Sequence, residues 1–185
     1  MSWQVDYTHS LIQFSVRHMM VTNARGQFDK WTAEVHLDEA NPENSTVFVQ
    51  IDANSINTKL ADRDAHLCSP DFLDAASYPY ITFRSKRVQR IDRTHARLIG
   101  DLTIRGISRE VAVDVTYEGQ VRSPFGPFVS AGFHGETKIN RKEWNLNWNM
   151  AIETGGVVVG DEVKISIELE VTKPVEEPVA EAVTA

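Results

Sequence analysis

A single cysteine, Cys68, occurs in 185 residues, so no internal disulfide staples this chain. That fits a reducing compartment. Positive charge is also short: 19 lysines and arginines face 26 aspartates and glutamates, for a net charge of −7. Nucleic acids and anionic membrane surfaces reward basic patches, and this balance argues against both partners. No stretch is apolar for long enough to cross a bilayer, so no stable membrane insertion is expected. The opening residues Met1 to Asp6 lack a basic head followed by an apolar run. No leader is therefore read, and a cytoplasmic protein is expected. The six histidines show no close pair and no HExxH spacing, so neither a metal nor a cofactor is expected.

What is present is alternation. Ile12, Phe14 and Val16 alternate with polar neighbours, as do Trp31, Ala33, Val35 and Leu37. Val47 to Ile51, Ile81 to Phe83, Leu98 to Ile104 and Val111 to Tyr117 continue the pattern, followed by Phe133 to Ile139. The clearest run is the last, Val163, Ile165, Ile167, Leu169 and Val171. Turn residues separate the runs: Asn41-Pro42-Glu43-Asn44, Ile91-Asp92-Arg93-Thr94 and Ser123-Pro124-Phe125-Gly126-Pro127. Residues 140–156 read as irregular but rich in tryptophan. Eight antiparallel strands with short turns predict a closed barrel or a sandwich, since closure removes exposed strand edges. The chain from 174 to 185 is acidic, rich in proline and alanine, and reads as a disordered tail behind one domain over 1–173.

One stretch breaks the alternation. Leu60 and Leu67 lie seven apart, on one face of a helix. Ser69-Pro70 reads as a helix start, and Tyr78-Pro79 returns the chain to an extended path. A short helical lid is expected between two strands. Within it, Cys68 stands two residues from His66, and residues two apart on a helix face different ways. The pair does not make a nucleophile and its base, so no catalytic residue is assigned. Asp62, Asp64, Asp71 and Asp74 read as helix caps and partners of Arg63 rather than as acid–base pairs.

Four blocks of residues resemble the YceI-like family of polyisoprenoid-binding, lipocalin-like barrels. The first is Trp3-x-Val5-Asp6-x-x-His9-Ser10-x-Ile12-x-Phe14-x-Val16-x-His18, with Gly26-x-Phe28 behind it. The second is Arg63-Asp64-x-His66-Leu67-x-Ser69-x-Asp71-Phe72-x-Asp74, with Tyr78-Pro79-x-Ile81-x-Phe83. The third runs from Gly100 to Val111; the fourth is Ile139 to Trp144, closing with Val159-Gly160-Asp161-Glu162-Val163. The resemblance covers Trp3 to about Val171. It departs at Trp144-Asn145, where the family usually has an aromatic followed by glycine; asparagine tolerates the left-handed backbone such a turn needs.

The resemblance implies an eight-stranded antiparallel lipocalin-like barrel that holds a long-chain isoprenoid lipid, often as a homodimer. Expected occupants are a polyprenyl phosphate, a polyprenyl pyrophosphate or an isoprenoid quinone, bound for transport or storage without chemistry. Expected ligand-binding residues are Phe14, Val16, His18, Phe28, Phe72, Phe83, Leu102, Arg141, Trp144, Trp148 and Ile167. For Arg63, Arg105 and Arg141 the fork of a guanidinium fits a phosphate, but bonds to loop carbonyls or lid carboxylates are the stronger expectation. Two rivals stand: an enzyme using the barrel as its pocket, and an interaction module whose barrel is packed solid.

Overall fold

The computed structural model describes residues 2–175. The chain is all-β, with one helix, but it forms eleven strands rather than eight. In order they are β1 (Gln4–Val5), β2 (Leu11–His18), β3 (Thr22–Phe28), β4 (Trp31–His36), β5 (Thr46–Asp52) and β6 (Ile56–Asn57). Helix α1 (Ala61–Cys68) follows, then β7 (Tyr80–Arg90), β8 (His95–Ile104), β9 (Ile107–Arg122), β10 (Phe128–Asn140) and β11 (Val159–Pro174). The three added strands escape the alternation for physical reasons. β1 and β6 are two residues each, too short to show a period. β3 carries Ala24 and Gly26 on the face it shares with Phe14, where bulk cannot fit: a Cβ on Gly26 would come 2.5 Å from the Phe14 ring.

Every pairing is antiparallel, in the order β4-β5-β7-β8-β9-β10-β11-β2-β3-β6, with β1 on β11 beyond β2. Only Asp29 and Lys30 separate β3 from β4, so the far ends of this order are brought together. The sheet curls into a lipocalin-like half-barrel. The seam between its ends is bridged rather than laddered. Ala33 N–H donates to Tyr7 Oη at 3.1 Å, and Tyr7 meets Trp31 edge-on at 5.0 Å. Asp52 N–H donates to the Lys30 carbonyl and Asp29 N–H to that of Ser55, each at 3.0 Å, which carries the β4–β5 and β3–β6 ladders one step further on either side of the seam.

Two bulges decide which side chains face inward. In β7 the register against β8 shifts between Ser85 and Arg87, so Ile81 and Phe83 point in before it and Val88 and Arg90 after it. In β9 the extra residue is Glu118, opposite the step from Gly132 to Phe133 of β10 and beside Gly119, whose φ of 108° excludes most other residues, so Tyr117 points in before it and Gln120 after it.

The lid differs from expectation at two points. Leu60, expected on one helical face with Leu67, has an extended backbone, precedes α1 as its N-cap and is exposed. Ser69 ends helix α1 instead of starting one: its N–H and hydroxyl both bond the His66 carbonyl, and Pro70 cannot continue the helix. Asn145 adopts φ 58°, ψ 26°, the left-handed cap expected after Trp144. Pro174 is the last residue of β11, paired with Phe128, so the strand outruns the expected domain boundary by one residue. The remaining tail, 176–185, lies outside the described residues.

Candidate functional site

The inward residues do not meet in the middle. They enclose a cavity of about 680 Å³, within the roughly 300–1,000 Å³ range of small-molecule sites. Its wall is almost entirely apolar, from Phe14 and Val16 of β2 through Val49, Phe83, Leu98 and Val113 to Ile165 and Ile167 of β11. Alternation on every strand puts these side chains inside and leaves the ion pairs outside, such as Arg97–Asp114 at 3.0 Å and Lys138–Glu162 at 3.6 Å. Gly135 also lines the cavity, between its neighbours Val113 of β9 and Ile167 of β11.

One end is plugged. Leu67 of α1 and Phe72 and Leu73 of the following turn cover it, together with Leu146. Trp144 is wholly buried and donates its Nε1–H to the Leu102 carbonyl at 3.1 Å. Arg141, only 2% exposed, bonds four carbonyls: Gly160 through Nε at 2.8 Å, Leu146 and Trp148 through Nη1, and Val159 through Nη2 at 3.3 Å. Burial pulls its pKa down, and Asp161 at 3.8 Å opposes that. Arg105 bonds the Phe72 carbonyl at 3.1 Å, and Arg63 the hydroxyl and carbonyl of Thr58. All three guanidiniums are committed to backbone and loop groups. Asp64 takes the Thr58 N–H and hydroxyl, so it too is structural.

The opposite end opens. There the wall passes to the β4–β5 turn and the β7–β8 hairpin, with Asp38, Glu39, Arg90, Asp92, Arg93 and His95 on its rim. Asp92 organises the hairpin: it accepts from the Thr94 and His95 N–H groups and the His95 ring, which hold its pKa down at about 2. Asp38 is likewise lowered, first by the Asn41 N–H and then by the Asn44 amide. Lys173 ties this end together, pairing with Glu39 while lying 4.7 Å over the ring of Trp3.

Of the residues expected at the site, Phe14, Val16, Phe28, Phe72, Phe83, Leu102, Arg141 and Ile167 lie on the cavity wall. Three do not. His18 ends β2, opposite Thr22 and Val159, beyond the inward run. Trp144 packs behind the wall against the β8 backbone. Trp148 stacks edge-on with His66 at 4.6 Å and lies 5.4 Å from Phe72, bracing the lid from outside the cavity. Wall residues outside the expected set include Trp3, Leu37, Tyr117 and Phe133. The alternation contains all but Trp3, yet nothing in it says which face turns inward; Trp3 stands in a short N-terminal strand region with no period.

The chemical alternatives are geometrically poor. Cys68 Sγ faces the Ala53 carbonyl at 3.8 Å, and burial raises its pKa, away from the thiolate. His66 Nε2 is taken by Asp71 at 2.9 Å. His9 sits with Asp6 and Glu170 in a surface group, where its bond to Asp6 raises its pKa. Among the described residues, no helix is long and apolar enough to cross a membrane.

A curled antiparallel sheet around a single greasy bore, plugged at one end, defines a lipocalin-like hollow β-protein. The chain belongs to the YceI-like family, whose domain model matches residues 3–171. A UPF0312 protein of Staphylococcus aureus (strain N315) is 36% identical over 165 residues, spanning 89% of this chain and 94% of its own. Among solved structures, Burkholderia cenocepacia BcnA superposes with a TM-score of 0.76 at 26% identity, covering 90% of this chain and 99% of that one. The Campylobacter jejuni YCEI protein gives 0.73 at 29%, with 87% and 90% covered. A polyisoprenoid binding domain from Saccharophagus degradans shares the fold, with a TM-score of 0.65 at 13% identity over 94% and 99%.

Proposed function

We propose that this protein binds a long-chain isoprenoid lipid, with the tail in the bore, and carries or stores it without altering it. The observation that supports this most is the cavity itself: almost entirely apolar, closed beneath the lid and open at the hairpin end. A tail inserted there gains about 0.8 kcal/mol per methylene removed from water. Because that gain has no direction, the wall selects for girth and length more than for chemical identity. The shared fold with a polyisoprenoid binding domain supports the same class of ligand. The absence of an activated thiol at Cys68 favours binding over turnover. A polyprenyl phosphate, a polyprenyl pyrophosphate and an isoprenoid quinone all carry a suitable tail.

The test is native purification, organic extraction and mass spectrometry of the extract, followed by loading with added prenyl chains. Recovery of a prenyl lipid near one per chain is the expected result. A protein that comes away empty and takes up no added chain overturns the reading.

A further inference from the structure

Three of the four methionines, Met19, Met20 and Met150, lie among the described residues, and none packs in the core. They are 44%, 51% and 59% exposed. Methionine is ordinarily among the more buried side chains, so three on the surface of one small region call for a reason. The bore does not supply it, because none of the three lines the cavity.

The backbone brings them together beside the plug, where Arg141 holds the Trp148 and Val159 carbonyls. Met19 and Met20 make the tight turn between β2 and β3, and the Val21 N–H returns to the His18 carbonyl at 3.1 Å. Both are left-handed, with φ of 47° and 63°, angles that such a hairpin turn usually gives to asparagine and glycine. Each methionine held there costs about 1 kcal/mol or more, and the turn displays two thioethers at its tip. Residues 150–158 fold back beside it as a small hairpin, bridged between Ala151 and Val157. The Met19 N–H donates to the Val158 carbonyl at 2.8 Å, and the Val158 N–H to the Met150 carbonyl at 3.0 Å. Met19, Val158 and Met150 therefore stand in a row across three neighbouring segments. Met20 lies against the same hairpin: a Cβ on Gly156 would come 3.4 Å from its Sδ. Three rotatable bonds in each side chain let sulfurs on adjoining segments close on one point.

A thioether carries neither charge nor proton, and as a soft donor it suits Cu(I) rather than harder cations. Histidine spacing, which speaks against zinc, is silent about a site built from such sulfur. The rival soft donor is Cys68, on α1, whose thiol burial keeps protonated. We propose that the thioethers of Met19, Met20 and Met150 form a surface site for one cuprous ion, outside the bore and independent of the lipid within it.

The experiment titrates the intact, metal-free protein with Cu(I), kept reduced by ascorbate in the absence of oxygen, against the chromophoric chelator bicinchoninate. One ion per chain is expected, held at about 1 μM or more tightly. Zn(II) in about ten-fold excess should not displace it. No ligand of the site titrates, so the affinity should stay within about two-fold from about pH 8 down to about pH 5, where a thiolate or imidazole site would weaken steeply. Met19→Leu, Met20→Leu and Met150→Leu combined keep the volume and the apolar character, so Tm should move by no more than a few degrees. That triple variant is expected to bind Cu(I) about a hundred-fold more weakly, and each single change about ten-fold more weakly, which keeps the test sound if the triple variant folds poorly. Cys68→Ser should bind as the parent does. A parent protein that takes no copper from the chelator overturns the site. So does a triple variant that binds like the parent, a loss of binding in Cys68→Ser, or an affinity that collapses in acid.

Discussion

The two ends of the bore use polar residues in opposite ways. Under the lid, each of Arg63, Arg105 and Arg141 reaches carbonyls, and Asp64 closes on Thr58. Among the described residues no buried side-chain polar atom at this end lacks a partner, so this end is a plug whose charges hold irregular chain in place. At the hairpin end the acids and bases sit on exposed turns around the rim, and one buried donor, on Trp3, has no partner among the described residues. The comparison teaches that charge inside a hollow β-protein need not mark its ligand. A guanidinium such as that of Arg141 has the shape of a phosphate clamp, yet here it is a strut on loop carbonyls, the stronger expectation of the two.

The largest expected effect comes from breaking that strut. Arg141→Ala strands the carbonyls of Gly160, Leu146, Trp148 and Val159 beneath the lid, and should cost about 3 kcal/mol or more. Arg141→Lys keeps the charge without the fork and should recover less than half of that loss. Urea unfolding measures both. A loss under about 1 kcal/mol for the alanine variant would mean the carbonyls find water, and the plug would be looser than described.

Next in size is a change that spares both ends and fills the space between them. Gly135 lies on the cavity wall between Val113 of β9 and Ile167 of β11, at 3.3 and 3.4 Å from an added Cβ, with its backbone outside the left-handed region. Gly135→Leu should fold with a shift of a few degrees in Tm, yet lose most of its extractable lipid, about ten-fold or more. Full lipid content in that variant would place the tail somewhere other than the bore.

How far the sequence reveals this division is uneven, and the reasons are particular. β11 and β4 are legible because every second residue is apolar and every other one is not. β3 is illegible because its inner face is Ala24 and Gly26, small so that Phe14 can lie across it. The inward face of β7 is hidden by the bulge after Ser85, which changes parity where the sequence shows no punctuation. The lining phenylalanines follow from alternation once a barrel is assumed. Trp144 and Trp148 do not, since tryptophans in irregular chain have no period to aim them. That Arg141 would favour carbonyls is an expectation that chemistry supports; that Trp3 would be left without an acceptor depends on contacts among β1, β11 and the β4–β5 turn, separated by more than a hundred residues.

A smaller effect should follow from loosening the lid. His66 stacks on Trp148 and Phe72 and bonds Asp71, while Cys68, the last residue of α1, packs against the core. The double change His66→Ala with Cys68→Ala should cost about 1–3 kcal/mol in unfolding free energy. Binding of a prenyl tail should stay within about two-fold, because neither residue belongs to the wall. Abolished binding with an intact fold would move the lid from plug to working part and reopen the case for chemistry at His66.

The smallest expected effect lies midway along the outer wall, where neither end should be felt. His134 on β10 bonds Glu168 of β11 at 2.6 Å and meets Glu136 at 3.2 Å; Glu136 and then Glu168 raise its pKa above the ordinary 6.5. A histidine raised on folding adds stability that is complete below 6.5 and disappears as pH climbs through the higher folded value. The unfolding free energy should therefore fall slightly on going from mildly acidic to alkaline buffer, by less than about 1 kcal/mol for a pair this exposed. His134→Gln should flatten that slope, leaving only the part that belongs to His9, which Asp6 raises in the same sense. Lipid content should not change with pH over this range. A pH-dependent release of lipid that His134→Gln abolishes would show that the girdle of charges outside β10 and β11 does reach the bore, and that the wall is less rigid than its ladder of hydrogen bonds implies.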